Sequence, residues 1–78
     1  ILPDLLAGLL GGLGERLLER GNMRSGDDYT RLAGFVLAQL GHLPATGESF
    51  RWRGMRFEVV DMDGRRIDKL LIQRLTPA

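Results

Sequence analysis

The sequence has no cysteine. That excludes a disulfide framework, a thiol nucleophile and a Cys-based zinc site, and it fits a reducing compartment. A single histidine, His42, excludes a His-rich metal centre. No run approaches the ~18 apolar residues that a membrane-crossing helix needs. Residues 1–14 are apolar but lack the basic n-region of a signal peptide. Neither charge sign dominates, with 11 basic against 10 acidic residues. A net charge of +1 gives no global attraction to nucleic acid or to an anionic membrane. What remains is ordinary for a globular domain: 44% hydrophobic and 27% charged, which argues against disorder. With 78 residues the chain is one small domain, able to bury only about 60% of its unfolded surface. The opening Ile1-Leu2-Pro3, without methionine, reads as a cut into a longer protein.

The N-terminal third is leucine-rich. Leu2, Leu5, Leu6, Leu9, Leu10, Leu13, Leu17 and Leu18 follow helical spacing and predict a helix from about residue 3 to about 20, with Gly11-Gly12 as a break point. Pro3 and Asp4 suit its first turn, and Gly21-Asn22 its end. Residues 22–28 form a polar connector. A second helix is predicted over Thr30–Leu40, capped by Asp28 or Thr30, with Leu32, Phe35, Val36 and Leu40 buried and Gly41 terminating it. From residue 48 the period falls to two. Phe50 and Trp52 share one face of a strand, Gly54 turns the chain, and Met55, Phe57 and Val59 continue the apolar face. Asp63-Gly64 marks a second hairpin. The last strand covers about 66–74, where both parities carry apolar residues. Either both faces are partly covered, or a bulge shifts the register near Asp68-Lys69. The expected fold is α+β: two helices packed on a small antiparallel β-meander, ordered α-α-β-β-β. Such a small sheet leaves room for a strand from upstream residues or from a partner.

Catalytic chemistry finds little support. His42 is the one imidazole base, and no Gly-x-Ser-x-Gly elbow is present. A place just beyond a helix C-terminus, where a cation is favoured, explains His42 more simply. Gly11-x-x-Gly14 lacks the strand and the Gly-Lys-Ser/Thr of a phosphate loop. Asp61, Asp63 and Asp68 surround the second hairpin. Asp61-Met62-Asp63-Gly64 starts like a calcium loop but lacks the later oxygen ligands and the distal glutamate. A weak Mg²⁺ or Ca²⁺ contact at Asp61 and Asp63 needs oxygen donors from elsewhere, such as ligand phosphates; turn chemistry with exposed charge is the plainer explanation. Arg51, Arg53 and Arg56 interleave with Trp52 and Phe57, a pattern that could serve single-stranded nucleic acid. An apolar sheet face backed by wet arginines accounts for it better, and the near-neutral total opposes a nucleic-acid partner.

Four ordered pieces carry a family resemblance. They are Tyr29-Thr30-Arg31-Leu32-Ala33-Gly34-Phe35-Val36-Leu37, then Leu40-Gly41-His42-Leu43-Pro44, then Gly47-Glu48-Ser49-Phe50, then Arg56-Phe57-Glu58-Val59-Val60-Asp61-Met62-Asp63-Gly64-Arg65-Arg66-Ile67-Asp68-Lys69. Across residues 29–74 the chain resembles the CorC/HlyC-type transporter-associated domain. That domain closes bacterial membrane proteins described as magnesium and cobalt efflux proteins or hemolysins, after a transmembrane domain and a pair of CBS domains. One departure stands out: Thr30-Arg31 replaces the family's usual Asp-Thr before Leu-Ala-Gly. The resemblance implies one or two short strands before the first family helix, and a fold similar to part of a flavin-binding superfamily, with no flavin motif here.

The resemblance further implies a non-enzymatic regulatory domain on the cytoplasmic face of the bacterial inner membrane. Its expected partners are the CBS and transmembrane domains of the parent chain, or a second copy in a homodimer, with no membrane insertion of its own. Asp61, Asp63, Arg65 and Arg66 are the candidate ligand contacts, and an adenine nucleotide is a candidate ligand beside the ion. The alternative is an interaction or dimerisation module with no small-molecule ligand. No insertion helix or barrel pattern supports a secreted hemolysin.

Overall fold

The computed structural model describes residues 6–8, 10–12, 14–22 and 26–75. Residues 6–8 and 10 are helical (α1). The turn ends at Gly11, whose φ of 58° and N–H bond of 2.9 Å to the Ala7 carbonyl form a left-handed C-terminal stop. Here the sequence expectation needs correction. The chain does not continue as helix to residue 20; Glu15–Glu19 is a strand, β1, and Arg20–Asn22 a 3-10 turn. Glu, Arg and Leu are good helix formers, so local propensity favours the wrong answer. What overrides it is the ladder: β1 pairs with the last strand, setting Leu18 opposite Leu70 and Leu17 opposite Leu71. Leu18 is buried, whereas Leu17 is 46% exposed, the alternation of a strand covered on one face.

Helix α2 spans Gly26–Leu40 and begins a turn earlier than its apolar spacing suggested. Asp28 and Thr30 therefore lie inside it rather than capping it. The Thr30 hydroxyl donates to the Gly26 carbonyl at 2.8 Å, the i−4 back-bond of a helical threonine. Asp27 and Asp28 sit in the first turn, where negative charge complements the helix dipole. Tyr29, Leu32 and Val36 are its buried stripe, with Phe35 and Leu40 packed partly against the core.

Three further strands follow: β2 (Ser49–Trp52), β3 (Met55–Asp63) and β4 (Arg66–Arg74). The sheet is antiparallel and four-stranded in the order β1-β4-β3-β2. The extra strand comes from within this chain, not from upstream residues or a partner. Arg53 and Gly54 both have positive φ, 49° and 76°, as the type I′ hairpin demands. Gly64 (φ 62°) is the first central residue of the β3–β4 turn, while Asp63 still pairs with Arg66 in the ladder.

The β3–β4 ladder shifts register twice. Val60 is the extra residue on β3, and Asp68 the extra residue on β4. Each bulge flips the parity of its strand, and together they keep one apolar face. Phe57 faces Ile72, Val59 faces Leu70, and Met62 faces Ile67. This explains why β4 carries apolar residues on both parities. Leu6 and Leu10 join Leu18, Tyr29, Leu32, Val36 and the strand residues in a single core. Phe50 stacks on Phe57 at 5.0 Å, and Phe35 meets Trp52 edge-on at 4.9 Å. Arg53 lies 5.1 Å over Trp52.

The strand assignment of β1 is open to direct test. Leu18→Ala is expected to cost about 2–5 kcal/mol in denaturant unfolding, as buried leucine truncations do. Leu17→Ala, on the open face, is expected to cost less than about 1 kcal/mol. Equal losses would contradict the alternation.

Candidate ligand groove at the second hairpin

Next to the buried stripe of α2 runs a second stripe on the same helix: Gly26, Thr30, Ala33, Gly34 and Leu37. It forms one wall of a groove of ≈ 570 Å³. Arg65, Arg66 and Ile67 from the second hairpin form the other, and Arg20 contributes from the 3-10 turn. Tyr29 ties the two sides together. Its ring is buried, and its hydroxyl donates to the Ile67 carbonyl at 3.0 Å. Burial pushes the phenol up to about 12; the nearby Asp68 carboxylate adds to the rise and Arg20 opposes it.

Arg20 clamps the hairpin from the end of β1. Its Nη2 lies 2.8 Å from Asp63 Oδ2, and its Nε lies 3.4 Å from Asp68 Oδ1. Asp63 is 68% exposed, so water screens the pair strongly and its net worth is small. The two contacts join the segment after β1 to both strands of the second hairpin.

The four candidate residues from the sequence do not form one site. Arg65 and Arg66 line the groove. Among the described residues neither guanidinium meets a carboxylate. Asp63 is engaged by Arg20. Asp61 is exposed, sits opposite Lys69 in the ladder and does not line the groove. Among the described residues no three His, Cys, Asp or Glu side chains converge to hold a metal ion. Asp61 and Asp63, one of them already paired, would supply only part of the roughly six oxygens that Mg²⁺ or Ca²⁺ takes, the rest coming from water or a ligand. His42 Nε2 meets both Glu48 carboxylate oxygens, at 2.8 and 2.9 Å, across the loop after α2. On the open face of the sheet Arg56 Nη1 reaches Glu58 at 2.6 Å and Gln73 at 3.0 Å.

Arg20 and Tyr29 were not singled out from the sequence. A signal for Tyr29 was present, since 29, 32 and 36 continue the buried helical stripe back by one turn. Arg20 acts across more than forty residues of sequence, and no local pattern carries that.

A helix laid on one face of a four-stranded antiparallel sheet, with an arginine-rimmed groove at the second hairpin, defines a small α+β domain. The family model of the transporter associated domain, CorC_HlyC, matches residues 14–76, and the chain belongs to that family. The match begins at Gly14, so β1 is part of the family domain. A UPF0053 protein of Synechocystis is 51% identical over 47 residues, which cover 60% of this chain and 10% of that protein. A polyamine export protein of Salmonella typhimurium is 37% identical over 60 residues, 77% of this chain and 13% of that protein. The chain thus spans only about a tenth of the length of the curated relatives it matches. Among solved structures, the transporter associated domain of a Xylella fastidiosa Temecula1 hemolysin, in complex with Mg²⁺ and Mn²⁺, shares 41% identity. It superposes with a TM-score of 0.63 over 81% of this chain and 90% of that one. The domain from Nitrosomonas europaea gives a TM-score of 0.60 at 25% identity, over 77% and 86%. Among the described residues no helix is long and apolar enough to cross a membrane.

Tyr29 sets a pH dependence with a definite sign. Its folded pKa of about 12 lies above its ordinary value of 10.0. The stability this represents is complete below pH 10 and is lost as pH rises from about 10 toward 12. Tyr29→Phe is expected to flatten that alkaline limb in thermal melts taken across the range. It also removes a donor from the Ile67 carbonyl, at a cost of about 1–3 kcal/mol. Arg20→Ala is expected to change stability by no more than about 1 kcal/mol in the same melts.

Proposed function

We propose that this domain is a non-enzymatic accessory module that modulates cation export by the membrane protein it belongs to. It acts from the cytoplasmic face, by packing on neighbouring domains of the parent chain. Family membership supplies the link to transport. The observation that carries the accessory role is the charge of the groove: Arg65 and Arg66 face it without carboxylate partners among the described residues. Relatives are named for polyamine export, and a related domain was solved with Mg²⁺ and Mn²⁺. The export name points to cationic cargo, whereas the metal complex speaks of ions held by that related domain. A polycation or a divalent ion is repelled between two arginines, so the groove serves something other than the cargo. Its chemistry selects negative charge joined to an apolar part, not an adenine ring in particular. Among the described residues His42 Nε2 contacts the Glu48 carboxylate and no Ser or Thr hydroxyl, which agrees with a non-catalytic reading.

The test uses the full-length parent protein in vesicles loaded with either labelled putrescine or Mg²⁺. Removing residues 14–76 is expected to leave efflux measurable for one cargo and to change its rate or concentration dependence several-fold. Unchanged efflux for both cargoes would overturn the regulatory reading. Complete loss, with the protein still assembled in the membrane, would place the domain in the transport path and overturn the accessory one.

A further inference from the structure

We infer that the groove between α2 and the second hairpin receives an acidic, partly apolar peptide segment from the parent polypeptide, outside these 78 residues. This rests on the accessory role proposed above and names the contact through which it acts. Three observations converge. The first is Gly34. A glycine in the middle of a helix is costly relative to alanine, and a Cβ added at Gly34 would meet nothing within 4 Å among the described residues. Packing inside the domain gives no reason for a glycine there, whereas close approach of another backbone does. Gly34 lies on the groove wall, next to Ala33.

The second observation is the pairing of two distant motifs. Leu32-Ala33-Gly34 and Asp63-Gly64-Arg65-Arg66-Ile67 lie about thirty residues apart, yet Ala33, Gly34, Arg65, Arg66 and Ile67 line one groove. The third is the chemistry along it. From Gly26 to Leu37 the helical wall runs about 16 Å at the usual rise, the length of about five residues of extended chain. That is too long for a bare ion. Arg65 and Arg66 supply positive charge without internal partners among the described residues, and Ala33, Leu37 and Ile67 supply apolar surface. A segment that fits carries a carboxylate for the arginines, a backbone seated over Gly34 and an apolar side chain toward Leu37. The matched 47 and 60 residues are 10% and 13% of those relatives, which makes the relatives roughly six times the length of this chain, so ample polypeptide exists in them to supply it.

The experiment is site-specific photocrosslinking in the full-length parent protein. p-Benzoylphenylalanine is placed at Leu37 on the groove, and in a control at Leu17 on the open sheet face. Crosslinked peptides are then identified by mass spectrometry. The Leu37 probe is expected to capture a parent peptide containing Asp or Glu that the Leu17 probe does not. Yield is expected to fall at least tenfold in the double variant Arg65→Glu and Arg66→Glu, and to return when the captured acidic residues are changed to Arg. Gly34→Leu is expected to cut the yield similarly while leaving the melting temperature of the 78-residue chain unchanged or higher, which a merely structural glycine would not allow.

A captured peptide with no acidic residue, a yield insensitive to charge reversal, or no peptide from Leu37 would each overturn the inference. So would a crosslink abolished by millimolar inorganic phosphate alone, which would make the groove a small-anion site. If removal of residues 14–76 alters efflux but no peptide is captured, this inference fails and the regulatory reading stands. If the peptide is captured but removal leaves efflux unchanged, the reverse holds.

Discussion

The β3–β4 ladder bears on every other part of this domain. Its two strands are nine residues each, and each outer strand pairs with only one of them. A sheet covered on one face must keep its apolar side chains on that face along its whole length, because a slip of one residue turns the strand inside out. The opposed bulges at Val60 and Asp68 solve a local version of that problem. Either bulge alone would leave Met62 and Ile67 out of step with Phe57 and Ile72. Together they keep Ile67 in the core, where its carbonyl accepts the Tyr29 hydroxyl. They also leave Asp68 beside Arg20. The core, the helix seat and the groove thus follow from one paired irregularity.

The turns were legible in the sequence because their chemistry is local. Gly54, Gly64, Gly41 and Gly47 all adopt positive φ, where glycine has no steric penalty. The alternation of Phe50, Trp52, Phe57 and Val59 was equally plain, and a bulge near Asp68-Lys69 was one of two readings of β4, the one its register shows. Its partner at Val60 was hidden, since Val59-Val60 reads the same with or without a shift. Strand β1 was misread as helix for a physical reason. Glu15-Arg16-Leu17-Leu18-Glu19 prefers helix in isolation, and only the open edge of β4, some fifty residues later, makes strand the better choice. The start of α2 was placed late because the apolar count began at Leu32 and passed over Tyr29.

The candidate site was half legible. Charge density at the second hairpin pointed to the turn that borders the groove but could not say which side each residue serves. Alternation across Met62 sends Asp61 to the open face, whereas Arg65 and Arg66, at the turn, line the groove beside α2. Asp63 is taken up by Arg20, a partner that no spacing rule finds. The carboxylates and arginines, neighbours in sequence, are therefore separated in function by the geometry of the strand and its turn.

Under the accessory role proposed above, that separation bears on what the groove can receive. Had the carboxylates faced the groove, cargo itself would be the natural ligand, and the domain would read its concentration directly. With Asp63 paired to Arg20 and two arginines lining the groove, the occupant proposed above is anionic. Coupling then requires that this occupant bind better in one transport state than in another. A segment tethered in the same polypeptide meets that requirement readily, because tethering keeps its effective concentration high and makes access depend on the conformation of the rest of the protein. The exposed glycine at position 34 costs the helix stability, a cost that the proposed occupant would explain, since Gly34 lines the groove wall beside Ala33.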